Sequence, residues 1–244
     1  MCRLRSYCGP DGPASTRQIV ATSVAIVNAI NPVDFIEGWS ISGSYAAPWR
    51  KHQHVLRVSI QRNILGKCMH WLVTTILPKK LALAFLPVAW SLPTTVVVKK
   101  LKPNSDDEFT NELRMYEELK SLQGKQIPVC YGEAYCDGTR ALVLEDVGGV
   151  SLYHRSALVE MSEEQIAQMI LASYRPMISL NIAYDDWKLD NLHLVDGRVV
   201  FLDLEHVYEL DFDPEHAIQL GRAAILERWN QFREQYEEYG EIEM

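Results

Sequence analysis

The stretch of residues 183–205, AYDDWKLDNLHLVDGRVVFLDLE, concentrates acidic side chains among otherwise apolar residues. Carboxylate and amide oxygens are hard ligands, which is the kind that Mg²⁺ binds. A carboxylate next to a hydroxyl group can also accept or orient its proton. The composition of this stretch therefore indicates that a cationic partner binds there.

Spacing distinguishes the candidates within this acidic stretch. Asp186 has an asparagine, Asn191, five positions later in the chain. None of the neighbouring aspartates has an asparagine at that spacing. An Asp-Gly pair predicts a turn between two short strands, LHLV and VVFLD. Asn191 and Asp203 stand 12 positions apart across this hairpin, so a loop amide and a strand-end carboxylate can reach one ion. The other aspartates are expected to be loop and turn residues, namely Asp185, Asp190 and Asp196.

Two elements upstream can position further charged groups. TTVVVKKLKP predicts a buried strand that ends in lysines and stops at a proline. SDDEFTNELRMYEELKSLQG predicts a helix over 106–122, with a capping box between Ser105 and Glu108 and Gly124 near its end. The helical repeat places Glu112 on an otherwise apolar face that is directed inward.

The remaining elements complete an α+β pattern. HVLRVSIQ alternates as a strand does, and NILGKC followed by MHWLVTTIL is expected to complete a hairpin. IPVCYGEAYCDGTRALVLEDVGG predicts two strands before a glycine break. A capping box of Ser162 and Gln165 starts a helix that is expected to end near Tyr174, because Pro176 follows. A long final helix is expected between Pro214 and Gly240.

Composition narrows the function classes. The chain has 244 residues, of which 48% are hydrophobic, and a formal net charge of −8. This charge argues against a general electrostatic grip on nucleic acid or on an anionic membrane. Five cysteines without a C-x-x-C pair are expected to be reduced thiols of a cytoplasmic or nuclear protein. The apolar run LALAFLPVAWSL is too short for a membrane span, so no transmembrane segment is expected.

The order of these elements resembles the protein kinase fold. Two segments are most similar to small fungal proteins that carry a protein kinase domain, namely FTNELRMYEELKSLQGKQIPVCYG and LVLEDVGG. VVVKK resembles the strand that delivers a lysine to the nucleotide phosphates. Lys99 is chosen over Lys100 because Val97 would then face the adenine, and Glu112 takes the place of the lysine's ion-pair partner.

The resemblance assigns the other sites in the same way. ALVLEDVGG resembles the strand and hinge that hold adenine, DDWKLDN matches the catalytic pattern D-x-K-x-x-N, and FLDLE carries the metal-binding aspartate. The resemblance thus implies ATP and Mg²⁺ as cofactors. The implied nucleotide-binding residues are Val97, Lys99, Glu112, Leu144, Glu145 and Val147. The implied catalytic residues are Asp186 and Lys188, and the implied metal ligands are Asn191 and Asp203.

The fold implied by the resemblance is a two-lobed, kinase-like α+β fold with an atypical N-terminal region and a shortened C-terminal lobe. Residues 1–53 are expected to form a poorly defined, loosely attached segment. Residues 54–150 are expected to form a small sheet with one helix, and residues 151–244 a truncated, mainly helical lobe.

The implied function is ATP- and Mg²⁺-dependent phosphoryl transfer to a serine or threonine hydroxyl of a protein. The sequence departs from the family in three ways. No G-x-G-x-x-G pattern precedes Lys99, so the phosphate loop is expected to be degenerate or missing. Tyr184-Asp185 replaces the His-Arg pair, and Glu205 replaces a glycine. Two alternatives follow from these departures and from the short second lobe. One is a pseudokinase that serves as a binding module, and the other is a small-molecule phosphotransferase of the aminoglycoside and choline kinase type.

Overall fold

The computed structural model describes residues 27–28, 31–32, 54–60, 64–75, 92–136, 139–154 and 161–239. It combines α-helices with antiparallel sheets, so the predicted α+β class is confirmed. The α-helices are α1 (Ile64–Thr75), α2 (Asp106–Glu118), α3 (Glu163–Ser179) and α4 (Pro214–Tyr239), with 3-10 turns at Lys120–Leu122 and Leu189–Asn191. The strands are β1 (Val27–Asn28), β2 (Asn31–Pro32), β3 (Val55–Ser59), β4 (Thr95–Lys100), β5 (Cys130–Cys136), β6 (Thr139–Glu145), β7 (Val150–Ser151), β8 (Ile182–Tyr184), β9 (Leu192–Val195), β10 (Arg198–Phe201) and β11 (Val207–Glu209).

The chain divides into two compact units. Unit 1 comprises the described parts of residues 1–104 and 130–146. Unit 2 comprises residues 105–129 together with the described parts of 147–244. Helix α2 therefore groups with unit 2. The domain limits expected at residues 53 and 150, and the kinase-like arrangement of two lobes, stay predictions.

Unit 1 is built on an antiparallel sheet with the strand order β2-β1-β5-β6-β4-β3. The strand ALVLE is central, as its apolar composition predicts, because β6 pairs with β5 on one side and β4 on the other. Leu56 and Val58 of β3 are buried and Arg57 is exposed, which confirms the predicted alternation. They pack with Val96 of β4 and Val143 of β6 in one apolar core.

The prediction of a hairpin after β3 is wrong, because residues 64–75 form helix α1. The segment has no Asn-Gly or Asp-Gly pair to make a tight turn. It also contains good helix formers such as Leu65, Lys67 and Met69. Apart from β1 and β2, the expected N-terminal segment 1–53 lies outside the described residues, as does the Asp-Gly turn between β5 and β6.

Helix α2 of unit 2 begins without the expected capping box. Ser105 occupies the N-cap, but its side chain makes no capping hydrogen bond. Its backbone, at φ −124° and ψ 38°, lies outside the extended region that N-cap residues usually adopt. Three acidic residues in the first turn, residues 106–108, still complement the helix dipole. The predicted inward direction of Glu112 is confirmed, since it is fully buried beside Phe109 and Tyr116.

The predicted start of helix α3 is confirmed, and its predicted end near Tyr174 is wrong. The Ser162 hydroxyl accepts from the Gln165 N–H, and the Gln165 side chain accepts from the Ser162 N–H, so the capping box is complete. The helix continues through Pro176 to Ser179. An internal proline costs about 3 kcal/mol, but burial of Met177 and Ile178 contributes roughly 1.5–3 kcal/mol each. Packing therefore outweighs the local preference.

Helix α4 begins at Pro214, as predicted, and Asp213 caps it by accepting from the His216 N–H at 2.8 Å. Its expected end at Gly240 lies outside the described residues. Helices α3 and α4 pack against each other. Buried residues recur on α4 at helical spacing: Ala217, Ile218, Gly221, Ile225, Trp229 and Phe232. Among the described residues, no helix is both long and apolar enough to cross a membrane.

Candidate active site

Two strand pairings in unit 2 bring the acidic stretch together. Residues 185–191 connect β8 to β9, and residues 202–206 connect β10 to β11. Because β8 pairs with β11 and β9 pairs with β10, both antiparallel, the two connections run side by side. Backbone hydrogen bonds join them at each end, from Leu202 N–H to Asn191 O at 2.9 Å and from Asp185 N–H to His206 O at 3.2 Å. Asp186 and Asn191 therefore lie on the connection next to the one that carries Asp203.

Asp186 is the centre of a hydrogen-bonded group on the first connection. Its Oδ2 accepts from Lys188 Nζ at 2.9 Å and from Asn191 Nδ2 at 3.0 Å. Asp186 is buried, whereas the Lys188 side chain is largely exposed. The spacing D-x-K-x-x-N thus unites three side chains around one carboxylate, which is poised to accept a proton or orient a hydroxyl.

Lys188 carries a positive charge at neutral pH. The hydrogen bond with Asp186 raises the pKa of the Lys188 ammonium, partial burial opposes this, and the charges of Asp186, Asp190 and Asp203 add to the increase. Beside this group, burial raises the pKa of the Tyr184 hydroxyl well above its ordinary value, and the carboxylates of Asp203 and Asp186 contribute. The Tyr184 hydroxyl therefore stays neutral over the physiological range.

Three carboxylates converge where helix α2 meets the second connection. One carboxylate oxygen each of Glu112, Asp203 and Glu205 lies within 4.8 Å of the other two. Asp203 Oδ1 also accepts from the Glu205 N–H at 3.0 Å, which fixes the turn between the two acids. At an effective dielectric constant of about 20, two ionised carboxylates about 5 Å apart repel each other by roughly 3 kcal/mol. Protonation or positive charge at this cluster offsets that repulsion.

The chemistry of these donors fits a hard divalent cation. Carboxylate oxygens and a side-chain amide oxygen are the ligands that Mg²⁺ prefers, and thiol or imidazole ligands are not part of the cluster. Asp203 and Asn191 are the predicted ligands. With Asn191 Nδ2 directed at Asp186, the Asn191 Oδ1 is the atom that would coordinate the ion.

A cluster of buried aromatic side chains anchors the first connection, residues 185–191. The Trp187 ring packs edge-on against Tyr174 at 5.0 Å and against Tyr184 at 5.2 Å between ring centroids. Phe201 contacts Tyr184 at 4.8 Å and closes the cluster. Trp187 is buried although its chain neighbour Lys188 is exposed. The buried indole therefore anchors the loop on which Asp186 and Lys188 sit.

Unit 1 brings another set of predicted residues onto one sheet face. Val97 of β4 stands opposite Leu144 of β6, and Lys99 follows two positions later on the same face as Val97. Lys99 is only 7% exposed, which is unusual for lysine. Lys100 lies on the other face, as strand alternation predicts.

The other predicted nucleotide-binding residues occupy different places. Glu145 stands opposite Val96, and Val147 follows the end of β6. Lys99 and Glu112 belong to different units, so their ion pair stays a prediction.

Sequence reasoning missed some residues of this site. Glu205 stands where the kinase pattern has a glycine, and its carboxylate joins the cluster of Glu112 and Asp203. Its signal is the D-x-E spacing, because two acids separated by one residue in a short connection lie close together. Asn111 donates hydrogen bonds to the backbone carbonyls of Glu205 and Val207, and no local pattern in the sequence indicates these long-range contacts. Trp187 gave no signal for its packing against Tyr174 of helix α3, which lies on another element.

A scan of the chain against protein-family models finds no family that matches, and a search of curated proteins finds no significant relative. The kinase-like relationship therefore stays a prediction carried by the residues themselves.

Proposed function

We propose that this chain binds ATP with Mg²⁺ and transfers the γ-phosphoryl group to a hydroxyl, with a serine or threonine of a protein as the expected acceptor. The observation that carries the proposal is the shared use of Asp186 Oδ2 by Lys188 Nζ and Asn191 Nδ2, beside the connection that bears Asp203. Such a group combines a base, a cation and an amide ligand within a few ångströms. Phosphoryl transfer uses groups of these kinds to orient the nucleophile, to offset negative charge and to hold the metal ion.

Each side chain has a separate task in this proposal. Asp186 orients the acceptor hydroxyl and accepts its proton as the new oxygen–phosphorus bond forms. Lys188 offsets negative charge on the transferring group while the bond to the ADP oxygen breaks. A Mg²⁺ ion held by Asn191 and Asp203 would supply positive charge at the phosphate oxygens. On the resemblance alone, Lys99 is assigned to contact the α and β phosphates of the nucleotide. Glu112 is assigned, on the same basis, to hold that lysine in place.

A small-molecule acceptor is the second candidate, and one observation favours it. Helix α4 begins at Pro214, so only β11 and short turns separate it from Asp203. In the protein kinase family, an extended activation segment forms part of the surface on which a protein substrate docks. The short connection between Asp203 and Pro214 leaves little room for such a segment. The third candidate, a binding module without turnover, is favoured by Glu205 beside the metal-binding aspartate.

The test combines binding with turnover. Titration calorimetry with ATP, in the presence and absence of Mg²⁺, measures whether nucleotide binds and whether the ion strengthens it. Peptide arrays and a panel of hydroxyl metabolites then identify the acceptor class. Phosphorylated peptides support the first candidate, phosphorylated metabolites support the second, and Mg²⁺-dependent binding without any product supports the binding module. Equal ATP affinity with and without Mg²⁺ contradicts the proposed metal site.

A matched pair of variants ties turnover to the site. Asp186→Asn removes the base and is expected to reduce turnover by about 10²-fold or more, the usual contribution of a general base. Asp196→Asn makes the same chemical change on an exposed turn of the neighbouring hairpin. Asp196 has a positive φ of 48°, which asparagine tolerates, so this control is expected to keep full turnover.

A further inference from the structure

Asn111 joins helix α2 to the connection that carries Asp203 and Glu205. Its Nδ2 donates to the backbone carbonyl of Glu205 at 3.1 Å and to that of Val207 at 2.9 Å. Both amide protons are thus used, one on each side of His206. The next residue on the helix is the fully buried Glu112, whose carboxylate lies in the cluster with Asp203 and Glu205.

Arg114 fixes the orientation of this amide. Its Nη2 donates to Asn111 Oδ1 at 3.1 Å, and because arginine only donates, the Nδ2 group must face the two carbonyls. Arg114 Nη1 in turn donates to Glu118 on α2 and to Glu209 on β11, each at 2.8 Å. The hydrogen bond to Glu209 is the main cause that raises the pKa of Arg114. The guanidinium therefore spans the same two elements as Asn111.

We propose that Asn111 is a positioning residue that holds the segment 203–209 on helix α2 and so keeps Asp203 and Glu205 beside Glu112. The inference rests on the proposed function, because Asp203 is assigned there to the metal site. Burial of Glu112 fixes one side of the cluster from the helix. The two hydrogen bonds of Asn111 fix the other side through the backbone, so a shift of α2 would carry Asp203 with it.

The first measurement tests positioning without any ligand. Hydrogen exchange with mass spectrometry follows the peptide that covers residues 203–209 in the full chain. Asn111→Leu keeps a similar volume and removes both donors, and it is expected to increase exchange in this peptide about tenfold or more, with α3 unchanged. Thr110→Val, an exposed change on the same helix, serves as the control and is expected to leave exchange unaltered. Unchanged exchange in Asn111→Leu would overturn the inference.

The second measurement tests the consequence for the metal site, with Mn²⁺ as a spectroscopic probe. Asn111→Leu is expected to weaken Mn²⁺ binding about tenfold relative to the unmutated chain and to Thr110→Val. Faster exchange with full Mn²⁺ affinity would overturn the positioning role. If the unmutated chain binds no Mn²⁺ while exchange responds as expected, the proposed function fails and the mechanical link between α2 and residues 203–209 stands.

A second variant guards against loss of folding. Asn111→Asp keeps the shape and the acceptor for Arg114, but it removes both donors and repels the two carbonyls. Its exchange in residues 203–209 is expected to exceed that of the unmutated chain. Retained protection in this variant would contradict the role of the two Nδ2 hydrogen bonds.

Discussion

Gly221 of α4 lies directly against the indole of Trp187. A Cβ atom at Gly221 would stand 2.8 Å from Trp187 Cζ2 and 3.1 Å from Tyr174 Cε1, closer than side-chain carbons normally approach. Trp187 is itself held between Asp186 and Lys188 in the chain. The absence of a side chain at one helix position therefore makes room for the ring that anchors the proposed catalytic loop.

Gly221→Ala is expected to destabilise the protein by about 1–2 kcal/mol. Overpacking against a buried ring costs roughly 1–3 kcal/mol, and the gain in helix propensity returns up to about 1 kcal/mol. Urea unfolding measures the difference. Ala223→Gly, on an exposed position of the same helix, calibrates the propensity effect alone.

A double-mutant cycle identifies the cause of that loss. In a Trp187→Phe background the smaller ring leaves space, so Gly221→Ala is expected to cost at least 1 kcal/mol less, on the order of couplings seen between contacting residues. If the cost of Gly221→Ala is the same in both backgrounds, contact with the indole is not its origin.

Asp203→Asn is expected to abolish the dependence of nucleotide binding on Mg²⁺. The amide keeps an acceptor for the Glu205 N–H but removes the negative charge that a divalent ion requires. By contrast, Asp186→Ala is expected to leave nucleotide affinity nearly unchanged and to remove turnover, since its role concerns the acceptor hydroxyl. Calorimetry with and without Mg²⁺ measures the first effect. Mg²⁺ dependence that survives in Asp203→Asn would remove this residue from the metal site.

Ser162→Ala is expected to lower the free energy of unfolding by about 1 kcal/mol, because it deletes the hydroxyl that caps α3. Ser105→Ala is its natural control. Ser105 also stands at an N-cap but makes no side-chain capping bond, so its loss should cost less than about 0.5 kcal/mol. Equal effects in chemical denaturation would show that the capping box does not contribute.

Stability is expected to fall at alkaline pH through buried tyrosines. Burial raises the pKa of Tyr174 to about 12, whereas an unfolded tyrosine ionises near pH 10. Above pH 10 the unfolded chain therefore releases this proton first, and stability declines until about pH 12, by roughly 2.7 kcal/mol for a two-unit difference. Tyr174→Phe is expected to reduce the decline between these pH values.

Tyr135→Phe provides the comparison for this pH dependence, because Tyr135 lies at an exposed position. It is expected to leave the alkaline decline as it is in the unmutated chain. Urea unfolding at pH 9 and near pH 11 measures both variants. An identical decline in Tyr174→Phe and the unmutated chain would exclude Tyr174 as a contributor.

The sequence by itself determined the elements whose stabilising contacts are local. The hairpin of β9 and β10 forms where Asp196-Gly197 predicts it, since both residues adopt the positive φ that such a turn requires. The capping box at Ser162 also depends on a local contact, because its two partners are three residues apart. The D-x-K-x-x-N spacing likewise brings Lys188 and Asn191 to Asp186, because a short loop cannot separate them far.

Only the tertiary structure decided the features that depend on distant partners. The strand β8 is too short to be recognised, yet its pairing with β11 places the two acidic connections side by side. Pro176 remains helical because Met177 and Ile178 are buried, and Ser105 fails as a side-chain cap although its local pattern is favourable. Asn111 reaches two carbonyls more than 90 positions away. Local patterns fix backbone preferences within a few residues, whereas long-range burial and hydrogen bonding select among them, and that selection assembles the carboxylate cluster.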